Sequence, residues 1–407
     1  MKKLLLLFMW LSPAVIYAQG FQVNLNGQKQ IGMGHTGIGL AQDGASVSFN
    51  PGAVAMLPEN YIQGGISPLF FKSAFNAAGS NVVNYNKDKV ATPFNAYAVW
   101  GPKAAAWKLG IGVYTPFGGL TDWGNTWQGK YVLESLDLKA IFIQPTISVK
   151  LADYLSIGGG FIYNRASVDL QRGIPLISAT GEVGKAQLTG NGHGYGWNAG
   201  IYVKTEVGMT VGITYRSQVN TNIKGGDAIF SVPGSLAASF PQPNTFSAGI
   251  PLPAQASIGF GFYPSSKLTL ALDANVVGWD SYKALAFDYA TNAPSLQDTY
   301  SPRNYKNAFS VRGGAQYKVT DKFALRAGGG YTSTAVPDGY VTPEAPDANR
   351  YYVTGGLGYK FGSRLDIDLS FEYEHLGSRF QTNVESNLSG TFKTNVYIPG
   401  IGIAYHW

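Results

Sequence analysis

Cysteine is absent from all 407 residues, which excludes a disulfide framework and any thiolate metal or redox centre. Charge is scarce. Asp, Glu, Lys and Arg make up only 13% of the chain, about half the usual share for a soluble domain, so an ordinary soluble enzyme fits poorly. The formal net charge of +6 is modest and spread out, and it implies no nucleic acid partner. Beyond residue 18 no run approaches the ~18 to 20 apolar residues of a spanning helix. The four histidines, His35, His193, His375 and His406, are scattered without ligand spacing, so no metal site and no cofactor is implied. What is plentiful is glycine (52 residues) and aromatic side chains (8 Trp, 25 Tyr, 22 Phe). That aromatic load excludes disorder.

The first eighteen residues have the three parts of a secretory signal peptide. Lys2 and Lys3 open it, Leu4 to Leu11 is apolar throughout, Pro13 breaks the run, and Ile16-Tyr17-Ala18 precedes Gln19. Cleavage is expected after Ala18. A membrane anchor is the other reading, but the run is short for a span and has no basic stop after it. An exported chain that enters a membrane without helices must close into a barrel.

From about residue 61 the hydrophobic period is two. In the stretch from Arg364 to Tyr373, Leu365, Ile367, Leu369, Phe371 and Tyr373 share one face. Asp366, Asp368, Ser370 and Glu372 share the other. Side chains alternate across a strand, so one face suits hydrocarbon and the other a wet lumen. A soluble sandwich would also alternate, and the connections carry more weight. The pattern predicts fourteen strands, 61–72, 92–101, 106–117, 136–151, 154–169, 193–205, 208–221, 251–264, 267–281, 305–319, 322–333, 349–361, 364–377 and 394–407. Counts of twelve or sixteen stay open. Between them tight turns such as Ala152-Asp153, Glu206-Val207 and Ser265-Ser266 alternate with long connections such as 118–135, 170–192 and 378–393. Short periplasmic turns and long external loops mark outer-membrane barrels. Trp100, Trp107, Tyr154, Tyr263, Tyr317, Phe323, Tyr359 and Phe361 flank the short turns, where an interfacial girdle belongs. The expected fold is all-β, a transmembrane antiparallel barrel in the outer membrane of a Gram-negative bacterium.

A barrel of this size would leak polar solutes unless filled, since closely packed interiors belong to eight strands and open channels to sixteen or more. Residues 19–60, rich in small side chains from Gly32 to Ser46, are the candidate plug, with a flexible periplasmic tail as the alternative. The expected organisation is 1–18 signal peptide, 19–60 hatch and 61–407 barrel.

Several segments resemble one known family. Gly20-Phe21-Gln22, Gly32-Met33-Gly34-His35-Thr36-Gly37 and Ala45-Ser46-Val47-Ser48-Phe49-Asn50-Pro51-Gly52 resemble the N-terminal hatch of the FadL-type long-chain fatty acid transporters. Gly118-Gly119-Leu120-Thr121-Asp122 is similar to the family segment at the kink of the third strand. Gly194 to Gly200 and Thr214-Tyr215-Arg216-Ser217 resemble its sixth and seventh strands. Val336-Pro337-Asp338, Pro346 to Arg350 and Gly355 to Tyr359 resemble its eleventh-to-twelfth strand region. The last segment, ending on Trp407, resembles the C-terminal signal read by the barrel-assembly machinery. One departure stands out: the family's Asn-Pro-Ala is here Asn50-Pro51-Gly52, and glycine allows that turn more backbone freedom.

The resemblance implies a monomer of fourteen strands that collects hydrophobic molecules at external loops. It passes them to an internal pocket and releases them sideways, into outer-membrane lipid, at an inward kink of the third strand. Thr115-Pro116-Phe117-Gly118-Gly119 is the expected kink, because proline cannot donate to the ladder and glycine weakens pairing. The alternative is that these residues only begin a loop. By family analogy Asn50 braces the kink. Arg165 and Lys306 match segments where the family places pocket cations, and either could instead form a lumen salt bridge. The expected hatch and gate residues are thus Asn50, Pro51, Gly52, Pro116 and Gly118, and the expected substrate contacts are Arg165 and Lys306. Whether the substrate is a long-chain fatty acid or an aromatic hydrocarbon stays open.

The run from Gly32 to Gly37 fits G-x-G-x-x-G, yet it follows no strand and opens no helix, so no dinucleotide site is expected. Two other functions compete. A general diffusion porin for polar solutes would lack a hatch and carry a charged constriction loop. A barrel enzyme would need a nucleophile beside a histidine at the rim, and neither His193 nor His375 has an evident partner, so no catalytic residue is expected.

Overall fold

A computed structural model describes residues 20–177, 181 and 183–407. The expected signal peptide lies outside the described residues. The wall is a closed antiparallel barrel of 14 strands, several of them broken into pieces. The strands are Tyr61–Ile66 with Leu69–Ala77 (one); Val83–Tyr85, Val90–Ala91 and Phe94–Trp100 (two); Trp107–Asp122 (three); Ser135–Ala152 (four); Leu155–Ile177 (five) and Val183–Lys204 (six). They continue with Met209–Arg216 and Val219–Ser231 (seven); Asn244–Leu252 and Gln255–Phe262 (eight); Leu268–Val277 and Ala284–Tyr289 (nine); and Thr299–Pro302 and Ala308–Lys318 (ten). Phe323–Thr332, Arg350–Phe361, Leu365–Thr382 and Ser389–His406 complete the wall as strands eleven to fourteen. The first strand pairs with the last, Tyr61 opposite His406 and Ile66 opposite Ile401, so the ladder has no free end there.

The short connections fall where the sequence places them, at 153–154, 205–208, 263–267, 319–322 and 362–364. Long strands replace part of the expected external loops. Strands five and six run up to Ile177 and back from Val183, through most of the expected loop 170–192. Strands thirteen and fourteen likewise take up part of 378–393. Above the hydrocarbon both faces of a hairpin meet water, so the apolar–polar alternation that marks a strand fades while the ladder continues.

The girdle residues behave as interfacial side chains. Trp100, Trp107, Tyr154, Tyr263, Tyr317, Tyr359 and Phe361 are exposed on the outer face. On strand thirteen Leu369 and Phe371 face outward while Asp366, Asp368, Ser370 and Glu372 are buried. The inward polar face is therefore filled rather than wet. Its partners are residues 20–60, which form only short helical turns, Gln28–Gly32, Ser46–Phe49 and the 3-10 turn Pro51–Met56.

This N-terminal segment is bonded around the inner wall. The Gly44 amide donates to Gln63 of strand one (2.8 Å), and Tyr97 of strand two donates to the Asn26 carbonyl (2.8 Å). Gln144 of strand four donates to the Val47 carbonyl (2.7 Å), and Thr210 of strand seven to that of Gly39 (2.6 Å). Asp273 of strand nine accepts from Gly37 and Ile38 (2.8 and 3.1 Å). Lys29 reaches Asp366 (3.0 Å), Asp43 and Asp368 (3.9 Å each). Burial works against the Lys29 charge, but Asp368, Asp43 and Asp366 outweigh it and hold the ammonium above its ordinary pKa. Buried polar groups need such partners, so the polar inward face of the wall and the polar N-terminal segment require one another.

Candidate functional site

Strands two and three separate in their upper half. They pair from Asn95 opposite Tyr114 to Trp100 opposite Leu109. Above Tyr114 the third strand bulges at Thr115-Pro116, and Phe117–Asp122 then pairs on one side only, with Ser135–Ala140 of strand four. Pro116 has no N–H to give, and the Thr115 hydroxyl stands in for the lost backbone pair. It accepts from the Phe94 amide (3.1 Å) and donates to the Phe94 carbonyl (3.3 Å). The strand continues to Asp122, so the expected kink is a bulge inside a strand and not the start of a loop.

The freed edge of strand three is taken by the N-terminal segment. The Val23 amide donates to the Pro116 carbonyl (2.8 Å) and the Gly118 amide to the Phe21 carbonyl (3.1 Å). The Phe21 ring sits edge-on to Phe117, Trp279 and Tyr282, with centroids 6.1, 4.8 and 5.9 Å away. Higher up, the Lys87 amide donates to the Asp122 carbonyl (2.6 Å), and Lys87 and Lys89 pair with the Asp122 carboxylate (3.2 and 2.9 Å). Between these ties the wall has no ladder.

A cavity of about 610 Å³ opens at this point. Its inner wall is Phe21, Asn24 and His35 of the N-terminal segment, and its flank is Leu69 and Phe71 of strand one. Thr92, Pro93 and Phe94 face Phe117 to Thr121 across the gap, and the cavity reaches Lys139 and Ile141 of strand four. These two share the face opposite the buried Leu138, Ala140 and Phe142, so the cavity passes from the lumen to the outer side of the wall. At its lumen end His35 meets Glu372 (2.9 Å), and Arg350 meets Asp347 (3.0 Å) and Glu374 (3.2 Å). Arg350 also donates to the Gly20 carbonyl (2.9 Å).

The expected site residues divide. Pro116 and Gly118 lie at the bulge and touch the N-terminal segment. Asn50 does brace, but not the kink. Its amide nitrogen donates to the carbonyls of Ile38 and of Ile201 on strand six (3.0 Å each), and its oxygen caps the Gly52 amide (2.9 Å). Pro51 opens the 3-10 turn at a position where its missing N–H costs nothing. Gly52 is held by contact: a Cβ there would lie 2.6 Å from the Gly200 carbonyl oxygen. Its own carbonyl accepts from Ser148 (3.1 Å) and Ser156 (2.6 Å). The Asn-Pro-Gly turn is therefore a tight fit and not a loosened one.

The two expected cations are elsewhere. Arg165 is exposed and shares its face with the exposed Phe161, opposite the buried Ile162, Asn164 and Ala166. It points to the outside of the barrel. Lys306 lies in the break between the two pieces of strand ten, exposed, within electrostatic reach of Asp338 and away from the cavity. The cations that line the cavity are Lys89, Lys139 and, at its lumen end, Arg350, and Arg216 lies just beyond, its guanidinium 5.8 and 5.9 Å from the ring centres of Phe117 and Phe142. Parity would have found Arg216, since it shares a face with the small or polar Thr210, Gly212 and Thr214. Among the described residues no group of three or more His, Asp and Glu could hold a metal ion.

Comparison with known proteins agrees with this architecture. The family model described as outer membrane protein transport protein (OMPP1/FadL/TodX) matches residues 11–407. The long-chain fatty acid transport protein of Escherichia coli K12 is 24% identical over 407 residues, covering 88% of each chain. The 47 kDa outer membrane protein of Pasteurella multocida is 23% identical, covering 96% of this chain and 94% of that one. Among solved structures, a Pseudomonas aeruginosa FadL homologue superposes with a TM-score of 0.84 at 20% identity, covering 95% of this chain and 99% of that one. The Pseudomonas putida toluene transporter TodX gives a TM-score of 0.71 at 15% identity, with 93% and 97% covered. The match over almost the whole chain, on a closed barrel breached beside its third strand, makes this protein a member of the FadL/TodX family of outer membrane transport proteins.

Proposed function

We propose that the protein admits hydrophobic compounds passively, with residues 20–60 as the plug and the break between strands two and three as the lateral exit. The observation that carries this is the cavity itself, which begins against the N-terminal segment and ends at the outward-facing Lys139 and Ile141. A pore for polar solutes would instead continue along the barrel axis, and the bonds of the N-terminal segment to strands one, two, four, seven, nine and thirteen speak against an open one. Relatives are named for long-chain fatty acids and for toluene, and an apolar cavity open to the side suits either class. Each CH₂ that leaves water gains about 0.8 kcal/mol. A compound that exits sideways never returns to water, and diffusion down that gradient needs no energy source.

The test is uptake by cells lacking their own hydrophobic-solute transporter, using labelled oleate, labelled toluene and a small labelled sugar. Faster entry of oleate or toluene with sugar unchanged supports the lateral route. Faster entry of sugar alone would mean that the segment does not seal the lumen, and a porin would then be the better description.

A further inference from the structure

Arg165 points out of the barrel, and it is not alone on that face. Along the ladder it stands opposite Ile141 of strand four and His193 of strand six, and His193 stands opposite Asn222 of strand seven. The next outward positions add Lys139 on strand four and Lys224 on strand seven, and Lys139, Arg165, His193 and Lys224 are all exposed. Lys139 is paired with Asp137 (2.8 Å). Among the described residues neither Arg165 nor Lys224 has a carboxylate within ion-pair distance. The outer face of strands four to seven therefore carries uncompensated positive charge.

The depth of this patch is fixed from both sides. Below it on the same face lie Tyr163 and Tyr195, with ring centroids 5.6 Å apart, and then Phe161 opposite Trp197. Trp197 in turn lies 5.3 Å from the ring of Tyr215. Aromatic rows of this kind mark a membrane–water interface, and at the end of the barrel with the long connections that interface is the external one. Above the patch, Asp137, Asp169 and Asp227 line an outward hollow of about 260 Å³ together with Thr189 and Asn191. An anion at the surface is thus held between hydrocarbon, which cannot solvate it, and carboxylates, which repel it.

Four adjacent strands at a spacing of ~4.8 Å make the patch about 14 Å wide. That is broader than one phosphodiester headgroup, and the aromatic rows beneath it offer surface to several acyl chains. We propose that the outer face of strands four to seven binds a phosphorylated glycolipid of the outer leaflet. Arg165 and Lys224 meet its phosphates, the exposed Asn191 and Asn222 meet its sugar hydroxyls, and its acyl chains lie along Tyr195 and Trp197. Lys139 also lines the outer mouth of the main cavity, so the lipid stands beside the break in the wall. The site depends on the place of the barrel in the outer membrane and not on what passes through it.

The test is native mass spectrometry of the purified full-length protein in neutral detergent. It is titrated with lipid A carrying two phosphates, with the same lipid stripped of one, with phosphatidylglycerol and with phosphatidylethanolamine. Wild type is expected to bind the two-phosphate lipid at least about tenfold more tightly than any of the others, as for an added charge-assisted contact. Arg165→Gln combined with Lys224→Gln is expected to weaken that binding about thirtyfold, the effect of two cations beside an anionic lipid. The same charge removed at the short-turn end, by Lys267→Gln with Lys318→Gln, is expected to leave it unchanged. All of these side chains are exposed, so neither pair of changes threatens the fold. Equal binding of the lipids by wild type overturns the site, and so does an equal loss in the two double variants. Phosphatidylglycerol bound as tightly as the two-phosphate lipid overturns it as well, by making the face a general anionic surface. Any of these results leaves the uptake reading standing, because oleate and toluene entry is measured separately.

Discussion

The clasp between Phe21 and the edge of strand three can be loosened by a single substitution. Phe21→Ala leaves the two backbone bonds to Pro116 and Gly118 and removes the ring that fastens them. That ring is half-buried, so its transfer is worth about 1 to 1.5 kcal/mol, half the value of a fully buried phenylalanine. Its edge-on contacts with Phe117, Trp279 and Tyr282 add ~0.5 to 1.5 kcal/mol each where geometry is good. A combined loss of about 3 kcal/mol shifts the docked-to-undocked ratio by about a hundredfold. Local opening of this kind is read by amide hydrogen exchange. The Val23 and Gly118 amides should exchange about a hundredfold faster in the variant, while those deep in the ladder, such as Ile201 and Val211, stay as protected as in wild type. Unchanged exchange at Gly118 would refute the clasp and leave the Arg350 bond to the Gly20 carbonyl (2.9 Å) as the tether. Faster exchange everywhere would refute it differently, by making Phe21 a residue of global stability.

Gly52→Ala should lower the thermal midpoint in micelles. Its Cβ would meet the Gly200 carbonyl oxygen at 2.6 Å, an overpacking worth ~1 to 3 kcal/mol, and an unchanged midpoint would show that strand six gives way freely. Arg165→Ala should leave oleate and toluene uptake at the wild-type rate, because the side chain is outside the barrel; a loss of uptake would reinstate it as a substrate contact. Lys29→Met takes from Asp366 its closest cation and from Asp43 its ion pair, while Asp368 keeps Arg326 (2.6 Å), and should cost about 3 kcal/mol of stability in denaturant titrations, the low end for breaking a buried pair. The raised pKa of Lys29 means that its contribution is present in full below the free lysine value of about 10.4 and is lost only as pH rises through the folded value. The deficit of the variant should therefore be the same at pH 6 and pH 9, and a deficit that vanished at pH 9 would contradict the assigned ion cluster.

The fold was legible because the two faces of a membrane strand differ so strongly in polarity. Leu369 and Phe371 against Asp368 and Ser370 settle the facing of strand thirteen from sequence alone, and the structure agrees. The candidate site was legible only in part. Pro116 and Gly118 mark the bulge through backbone chemistry, which is local. Arg165 misled, although its own neighbours carried the warning: Phe161 and Tyr163 share its parity, and an aromatic face on such a strand is the lipid face. At ~3.4 Å per residue and a tilt of ~40°, Arg165 stands about 26 Å above the turn before Leu155, at the upper edge of an apolar band ~25 Å tall. A cation there has headgroups to meet. Arg350 and Glu374 could not be brought together with Gly20 by any local pattern, because the contact joins residues far apart in the chain.

The break in the wall and the segment inside it are one device. Hydrocarbon offers no partner to a free N–H or C=O, so a spanning wall tolerates irregular backbone only where protein or water lies behind it. Most of the freed groups below Gly119 have such a partner. Thr115 answers for Phe94, Phe21 and Val23 for Gly118 and Pro116, and Gln28 donates to the Ile66 carbonyl (3.4 Å) where strand one is interrupted. Arginine and asparagine side chains complete the fit, with Asn95 donating to the Leu25 carbonyl (3.0 Å). Removing the segment would thus expose unpaired backbone toward lipid, and closing the break would leave the segment without an edge to join. The edge of strand three at Gly119 to Thr121, which neither the segment nor strand two covers, faces Lys89 to Pro93 across the cavity. That is where an apolar guest can cross the wall without displacing a hydrogen bond, and a ladder complete at this height would have forced it to break several.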